Sequence, residues 1–450
     1  RATGRATSRV CRFLDENAGV LLERLEVLGK TGLPWSLQAI LSAGESQEFS
    51  EQRARVRALL NDADQGGGPE LVGLSIMYPE QLFFSVLIAQ ELRNVLPGAR
   101  IVAGGPQITK HIDVLKQDSR AARLFDYLVI DDGEEAFFRL CTAGPHADMA
   151  EVPNLYRRAE EGSFLAPQKT FMLHPDDYPV PEFSGFDFEN YHEYLPFLAS
   201  KGCPWSRCAF CSFCRRDRQF FLPSADRCVA ALRGIRERYG VKNFFFMDDA
   251  LPASFMRALA EALTQQDWQG SWSTGIILDR AFEDPGLCAL LRRSGLRLVS
   301  FGLESVSPRL LGLMNKYHQG LGTEGIARIL RRIKEAGILA AVSVFFGFPT
   351  ETQEEAQATL DFLVANIELF DIVKVQSFCL EDHTSITEDP QRFGVTRIFA
   401  ADKDVGLRLG YRFETKEGMT QAETDLFTRR ALREVRRAHR LKREKPLYVP

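Results

Sequence analysis

Over residues 243–378 the chain repeats one pattern: a short apolar run, a longer stretch of helical period, then another apolar run. The runs NFFFMDD (243–249), GSWSTGI (270–276), RLVSFGLE (297–304), LAAVSVFFGF (339–348) and DIVKVQSF (371–378) read as strands. Stretches such as TEGIARILRRIKEAG (323–337) read as the helices between them, closing on a glycine. Strands separated by helices cannot pair as hairpins, so they lie parallel with helices covering them. The pattern excludes an all-β sandwich and a helical bundle. It predicts a parallel barrel or open sheet whose chemistry sits at the carboxyl ends of its strands.

The same grammar appears earlier. LVGLSIM (71–77) is a strand, QLFFSVLIAQELRNVLPG (81–98) an amphipathic helix stopped by Pro97-Gly98, and RIVAGG (100–105) a second strand ending in two glycines. YLVIDDGEEAFFRL (127–140) adds a strand, a turn and a helix start, with Glu134 and Glu135 in the first turn where a helix favours acids. These segments predict a Rossmann-like sheet. The fold class expected is therefore α/β, and five regions follow from it. They are a helical N-terminal segment (1–68), a Rossmann-like domain (69–152), an extended linker (153–199), a parallel barrel or open sheet (200–398) and a helical C-terminal segment (399–450). The linker is placed where Pro, Asp, Phe and Tyr accumulate without period, and its aromatics are expected to pack onto neighbouring domains.

Composition narrows the partners. A net charge of −4 argues against nucleic acid, which selects a basic domain. No apolar run is long enough to span a bilayer, and GILAAVSVFFGF (337–348) reads as a buried strand. The opening RATGRATSRV has a basic start without an apolar core, so no secretory leader is expected, and the absence of an initial Met leaves room for upstream residues. The arginine-dense ETDLFTRRALREVRRAHRLKREKP (423–446) reads as a solvated helix face, with an acidic docking partner as the alternative. Cysteines number nine, and five of them (Cys11, Cys141, Cys228, Cys288, Cys379) are isolated. That is poor material for a disulfide framework and fits the cytoplasm.

The remaining four sit together in KGCPWSRCAFCSFCRR (201–216), with spacings of four, two and two residues. A zinc site would separate two CxxC pairs by a dozen or more residues. Iron–sulfur clusters instead take several thiolates from one compact loop, and a cubane held by three leaves an iron open for a ligand.

The stretch GCPWSRCAFCSF resembles the cluster loop of radical S-adenosylmethionine (SAM) enzymes, whose usual spacing is C-x3-C-x2-C with an aromatic before the last cysteine. Gly202-Cys203-Pro204 at the front and Phe210 before Cys211 carry the match. By that register Cys203, Cys208 and Cys211 bind a 4Fe–4S cluster and Cys214 is a spare. One residue more than usual separates the first two cysteines. The resemblance extends through FFFMDDAL (244–251), FGLES (301–305) and FFGFPTET (345–352), and implies a partial (β/α)6 barrel. It places Asp248 or Asp249, Glu304, Ser305, Gly347 and Pro349 around SAM. The family's GGE motif, which holds the methionine amine, has no evident counterpart.

Residues 72–109, followed by DDGEEAF (131–137), resemble the cobalamin-binding domain of cobalamin-dependent radical SAM enzymes. By resemblance Ser75, Tyr78 and Gln81 face the corrin, Gly104, Gly105 and Pro106 meet the nucleotide tail, and Gly133 and Glu134 close the pocket. The D-x-H-x-x-G motif that gives cobalt an imidazole is absent. The resemblance implies an enzyme using a 4Fe–4S cluster, SAM, cobalamin and an external electron donor. Its expected reaction is methylation of a carbon in a peptide or small natural product. A non-methylating rearrangement, cyclisation or oxidation with the same cofactors is the alternative, and a zinc-stabilised scaffold the remote one.

Overall fold

The computed structural model describes residues 36–64, 68–143, 148–184, 194–212, 219–399, 407 and 410–442. They form two compact units, the first of described residues up to Leu173 together with Leu407, the second of those in His174–Phe399 and from Gly410 onward.

The first unit is built on a five-stranded sheet in the order β1 (Leu71–Ser75), β2 (Arg100–Gly104), β3 (Tyr127–Val129), β4 (Leu155–Arg158) and β5 (Phe164–Leu165). The first three strands are parallel and the last two run antiparallel. Strand alternation divides the core. Ile101, Ala103 and Leu128 pack with the helices Pro79–Val95 and Pro106–Leu115, through Leu82, Phe83, Leu87, Ile108 and Ile112. Val102 and Val129 point to the opposite face, against Ala136 and Leu140 of helix Glu134–Thr142. Each such full burial contributes about 2 kcal/mol relative to exposure. Pro79 opens the first helix, and the Gln81 side chain turns back to accept from the Met77 and Tyr78 amides at 2.7 and 3.0 Å.

The second unit holds a six-stranded, all-parallel sheet. Its strands are β6 (Leu195–Phe197), β7 (Asn243–Phe246), β8 (Ser271–Gly275), β9 (Leu296–Glu304), β10 (Leu339–Phe346) and β11 (Ile372–Ser377), adjacent in chain order. Each step through a helix moves one strand along, and β6 and β11 are the two edges, as in a partial barrel. Parity again sorts the residues. Ala340, Val342, Val344 and Phe346 of β10 are buried in the helix-side core, while Ser343 and Phe345 face the inner side. Helix Gln421–Lys442 packs over β10 and β11, stacking Phe427 on Phe346 with ring centroids 4.8 Å apart. A short antiparallel pair, β12 (Val395–Phe399) and β13 (Arg412–Thr415), precedes it.

Two features differ from the sequence reading. The stretch 153–199, expected to be extended linker, supplies β4 and β5 to the first sheet and β6 to the second. These strands are two to four residues long, too short to show a period. Pro196 sits in β6 at the sheet edge, where its missing N–H costs no ladder bond. The segment after 398, expected to be helical, first completes the β12–β13 pair.

Candidate functional site

The cysteine loop is fixed at both ends. Lys201 and Phe221 exchange backbone bonds of 3.0 Å that close its base, and Gly202 adopts φ +78° where a Cβ would lie 2.9 Å from the Gln219 carbonyl. Upstream, the buried Asp248 carboxylate at the end of β7 accepts from the amides of Ala199 and Ser200 and from the Ser200 hydroxyl. Burial holds this carboxyl above its ordinary value, and those bonds offset only part of the rise. In the middle of the loop, Trp205 Nε1 donates to the Asn315 carbonyl at 2.6 Å, Ala209 N to Met314 O at 2.9 Å, and Asn315 Nδ2 to Arg207 O at 3.0 Å. Phe210 stacks on Phe345 of β10 at 5.0 Å.

So held, Cys203, Cys208 and Cys211 open into one cavity of ≈ 270 Å³ in the second unit. Its wall includes Asp249, Ile276, Leu278, Gly302, Glu304, Lys316, His318 and Ser343. Glu304 ends β9 at φ +60°, a strained conformation for a residue with a side chain. Its carboxylate folds back over Gly302, where any Cβ would collide with it, and meets Lys316 Nζ at 3.1 Å. These two side chains are 14% (Lys316) and 10% (Glu304) exposed. Burial lowers the Lys316 pKa, but Glu304 and the nearby thiols of Cys208 and Cys211 outweigh it, so the ammonium persists. His318 is buried, with Nε2 3.1 Å from the Leu303 carbonyl. Burial and the Lys316 charge lower its pKa to about 4, so the ring is neutral at pH 7. A carbonyl can only accept, hence Nε2 carries the proton.

The site fits an iron–sulfur cluster better than a single metal ion. Among the described residues no three His, Cys, Asp or Glu side chains gather closely enough to hold one ion, yet three thiols share one cavity. The seven described cysteines are all free thiols. Cys214 lies outside the described residues.

Other residues singled out from the sequence turn elsewhere. Ser305 is fully buried, its hydroxyl 3.2 Å from Thr359 Oγ1 and accepting from Ser307 N at 3.1 Å. Gly347, at φ +87°, packs against Thr424 of the C-terminal helix, and its amide bonds the Glu351 carboxylate. Pro349 is buried in the same turn. Glu351 is 1% exposed and its Oε1 has no hydrogen-bond partner; burial raises its pKa to about 8. Lys316, His318 and Ser343 were not singled out from the sequence. The signal for the first two was slight: a short KYH run just past a helix end at Asn315, which adopts φ +52°.

In the first unit, the residues assigned to cobalamin gather at the carboxyl ends of β1–β3. Gly105 is at φ +95°, and a Cβ there would lie 2.7 Å from the Ile76 carbonyl. Gly104 O accepts from Ile76 N at 2.8 Å, and Gln107 N donates to Ile76 O at 3.1 Å. A Cβ on Gly104 would reach Val129 at 3.4 Å, and one on Gly133 would reach it at 3.5 Å. Gln81 is occupied by its helix cap, while Ser75, Tyr78, Pro106 and Glu134 are exposed. Met77 and Tyr78 are 48% and 55% exposed, and Phe137 and Phe138 43% and 63%. This edge offers backbone and apolar surface beside the exposed carboxylates of Asp131 and Glu134.

Comparison with known proteins adds the following. Residues 198–363 match the model of the radical SAM superfamily. A protein of Pyrococcus horikoshii described as an uncharacterized methyltransferase is 26% identical over 305 residues, covering 65% of this chain and 64% of that one. The bacteriochlorophyllide d C-12(1)-methyltransferase of Chlorobaculum tepidum is 30% identical over 187 residues, covering 40% of this chain and 39% of that one. The anaerobic magnesium-protoporphyrin IX monomethyl ester cyclase of Rubrivivax gelatinosus is 24% identical over 306 residues, covering 65% and 53%. The match thus spans less than two thirds of each relative. Among solved structures, the radical SAM methyltransferase TsrM of Kitasatospora setae, with cobalamin and a [4Fe-4S] cluster bound, shares the fold at TM-score 0.62 and 20% identity, covering 87% of this chain and 82% of that one. The cobalamin-dependent SAM radical enzyme OxsB, with aqua-cobalamin and SAM bound, does so at 0.64 and 16% identity, covering 84% and 60%.

Proposed function

Residues 198–363 are a radical SAM domain, and on that premise we propose that the chain is a cobalamin-dependent methyltransferase acting on a carbon of a peptide or small natural product. The observation that carries this reading is the joint opening of Cys203, Cys208 and Cys211 into a cavity that also presents a buried Lys316–Glu304 pair. Methyltransferases among the relatives and a cobalamin-bound neighbour of the same fold support it.

When bound, the cluster supplies an electron to the SAM sulfonium and the cobalamin supplies a methyl carrier. The chain's own residues do the rest. The three cysteines hold the cluster. Lys316 presents an ammonium to a carboxylate, and Glu304 and Asp249 present acceptors to an amine or to ribose hydroxyls. Ile276 and Leu278 keep water from the opposite wall. At the edge of the first sheet, Gly104 and Gly105 let a nucleotide tail approach the backbone, and the exposed Tyr78 offers the corrin an apolar face. An external electron donor is required. Free thiols at all seven described cysteines support a reducing, cytoplasmic setting. Among the described residues no helix is long and apolar enough to cross a membrane.

The test is to supply anaerobically reconstituted protein with SAM carrying a deuterated methyl group and an extract of peptides and metabolites. A deuterated methyl on a product carbon is the expected result. SAM consumption with an altered but unlabelled product would favour the non-methylating alternative, which the similarity to a cyclase supports.

A further inference from the structure

Helix Gln421–Lys442 has one buried face, formed by Thr424, Phe427, Thr428, Ala431 and Val435. That face packs on β10 and β11 and fixes which side of the helix points outward. Arg429, Arg433, Arg436, Arg437 and Arg440 are all exposed. At 100° per residue these five fall within about 100° of one another, a stripe about three turns long. Arg429 Nε donates to the Asp425 carbonyl, but none of the five has a carboxylate partner among the described residues. Among the described residues the ion pair on this helix, Arg430 with Glu434 at 3.6 Å, lies at the edge of the stripe. Like charges three and four residues apart repel and weaken a helix, and of the five only Arg440, in the last turn, is placed to gain from the helix dipole.

Two further features mark the face as an interface. Leu426 and Leu441, 65% and 76% exposed, stand at opposite ends of the stripe. The charge is also local: the helix carries seven basic and three acidic residues, so the rest of the chain, from a total of −4, stands at −8.

We propose that the outer face of helix Gln421–Lys442 docks an acidic polypeptide segment bearing a carboxylate on each turn and an apolar residue at each end. Guanidinium forks bind carboxylates bidentately, and one arginine per turn matches carboxylates spaced three and four residues apart on a facing helix. Exposed leucines flanking a charged centre give such a partner its anchors. A long polyanion would extend past the stripe and meet the acidic remainder of the chain. The inference concerns a surface remote in sequence from the cysteine loop and stands apart from the proposed reaction.

The experiment uses the full chain and a fluorescent helical peptide with Glu at every turn and Leu at both ends, titrated at 150 mM salt and read by anisotropy. Saturable binding is expected, weakened at least tenfold in the double variant Arg433→Glu/Arg437→Glu and recovered when the peptide's Glu residues are replaced by Lys. The exposed positions predict unchanged thermal midpoint and iron content in that variant, which separates lost docking from lost folding. Absence of saturable binding to the parent chain, or equal binding by parent and variant, would overturn the proposal. So would tighter binding to duplex nucleic acid or to anionic phospholipid vesicles than to the peptide.

Discussion

Beyond the carboxyl ends of β7 and β9 in the second unit, charged groups stand in a cavity wall. At the carboxyl ends of β1–β3 in the first, exposed backbone and aromatic surface stand beside Gln81, whose side chain is turned back onto its own helix cap. Glu304 and Lys316 meet each other above three thiols, and the backbone at Glu304 is strained to put them there. Gln81, by contrast, caps its helix, and Gly105 is drawn against Ile76. The parallel strands of the two sheets thus end in differently equipped edges. One presents a largely buried ion pair beside three thiols, and the other presents exposed aromatic surface beside glycine backbone.

The comparison is broken most severely through the thiols. Cys208→Ala should abolish iron and sulfide uptake, while Cys214→Ala keeps most of it. Metal and sulfide analysis decides, and loss of the cluster in the Cys214 variant would refute the register. Next in size is Lys316→Met, which keeps the aliphatic stem and leaves the Glu304 carboxylate facing the cavity without its cation. Breaking a largely buried pair costs about 3 kcal/mol, read as a lower urea midpoint. A change below about 0.5 kcal/mol would mean the pair behaves as a solvated one.

In the first unit, Gly105→Ala forces a Cβ toward the Ile76 carbonyl at positive φ and should cost about 1–3 kcal/mol. Gly104→Leu should instead weaken cobalamin retention while SAM cleavage survives, and unchanged retention would move the nucleotide tail elsewhere. The smallest effect separates the units by pH. The Glu351 carboxyl, raised by burial to about 8 from its ordinary 4.5, keeps its proton in the folded state where the unfolded chain has lost it. Its contribution is therefore full below pH 4.5 and is lost as pH rises through about 8. Glu351→Gln should flatten the fall in thermal midpoint across that range, and an unaltered slope would mean Glu351 titrates normally.

Much of this was legible in the sequence because it rests on period and spacing. Five barrel strands and the strand–helix–strand opening of the first unit follow from apolar runs long enough to show alternation. The cysteine loop is legible because the three thiols that share one cavity come from neighbouring positions. What stayed hidden depends on shorter or longer range. β6 is three residues with a proline at its centre, and β4 and β5 are no more distinct. Between Asp248 and Asp249 strand parity decides: the first turns inward to hold Ala199 and Ser200, the second lines the cavity. Lys316 and His318 look ordinary in sequence and gain meaning only when the turn after Met314 folds against the cysteine loop. Gly347 looked like a ligand contact, and it is close packing against Thr424 that demands its missing side chain.

The most direct test is anaerobic purification and reconstitution with iron, sulfide and hydroxocobalamin, followed by counting metals per chain. About four irons and one cobalt are expected. Iron without cobalt would contradict the account, because the cradle at the edge of the first sheet would then serve something other than cobalamin and the methyl carrier would be gone.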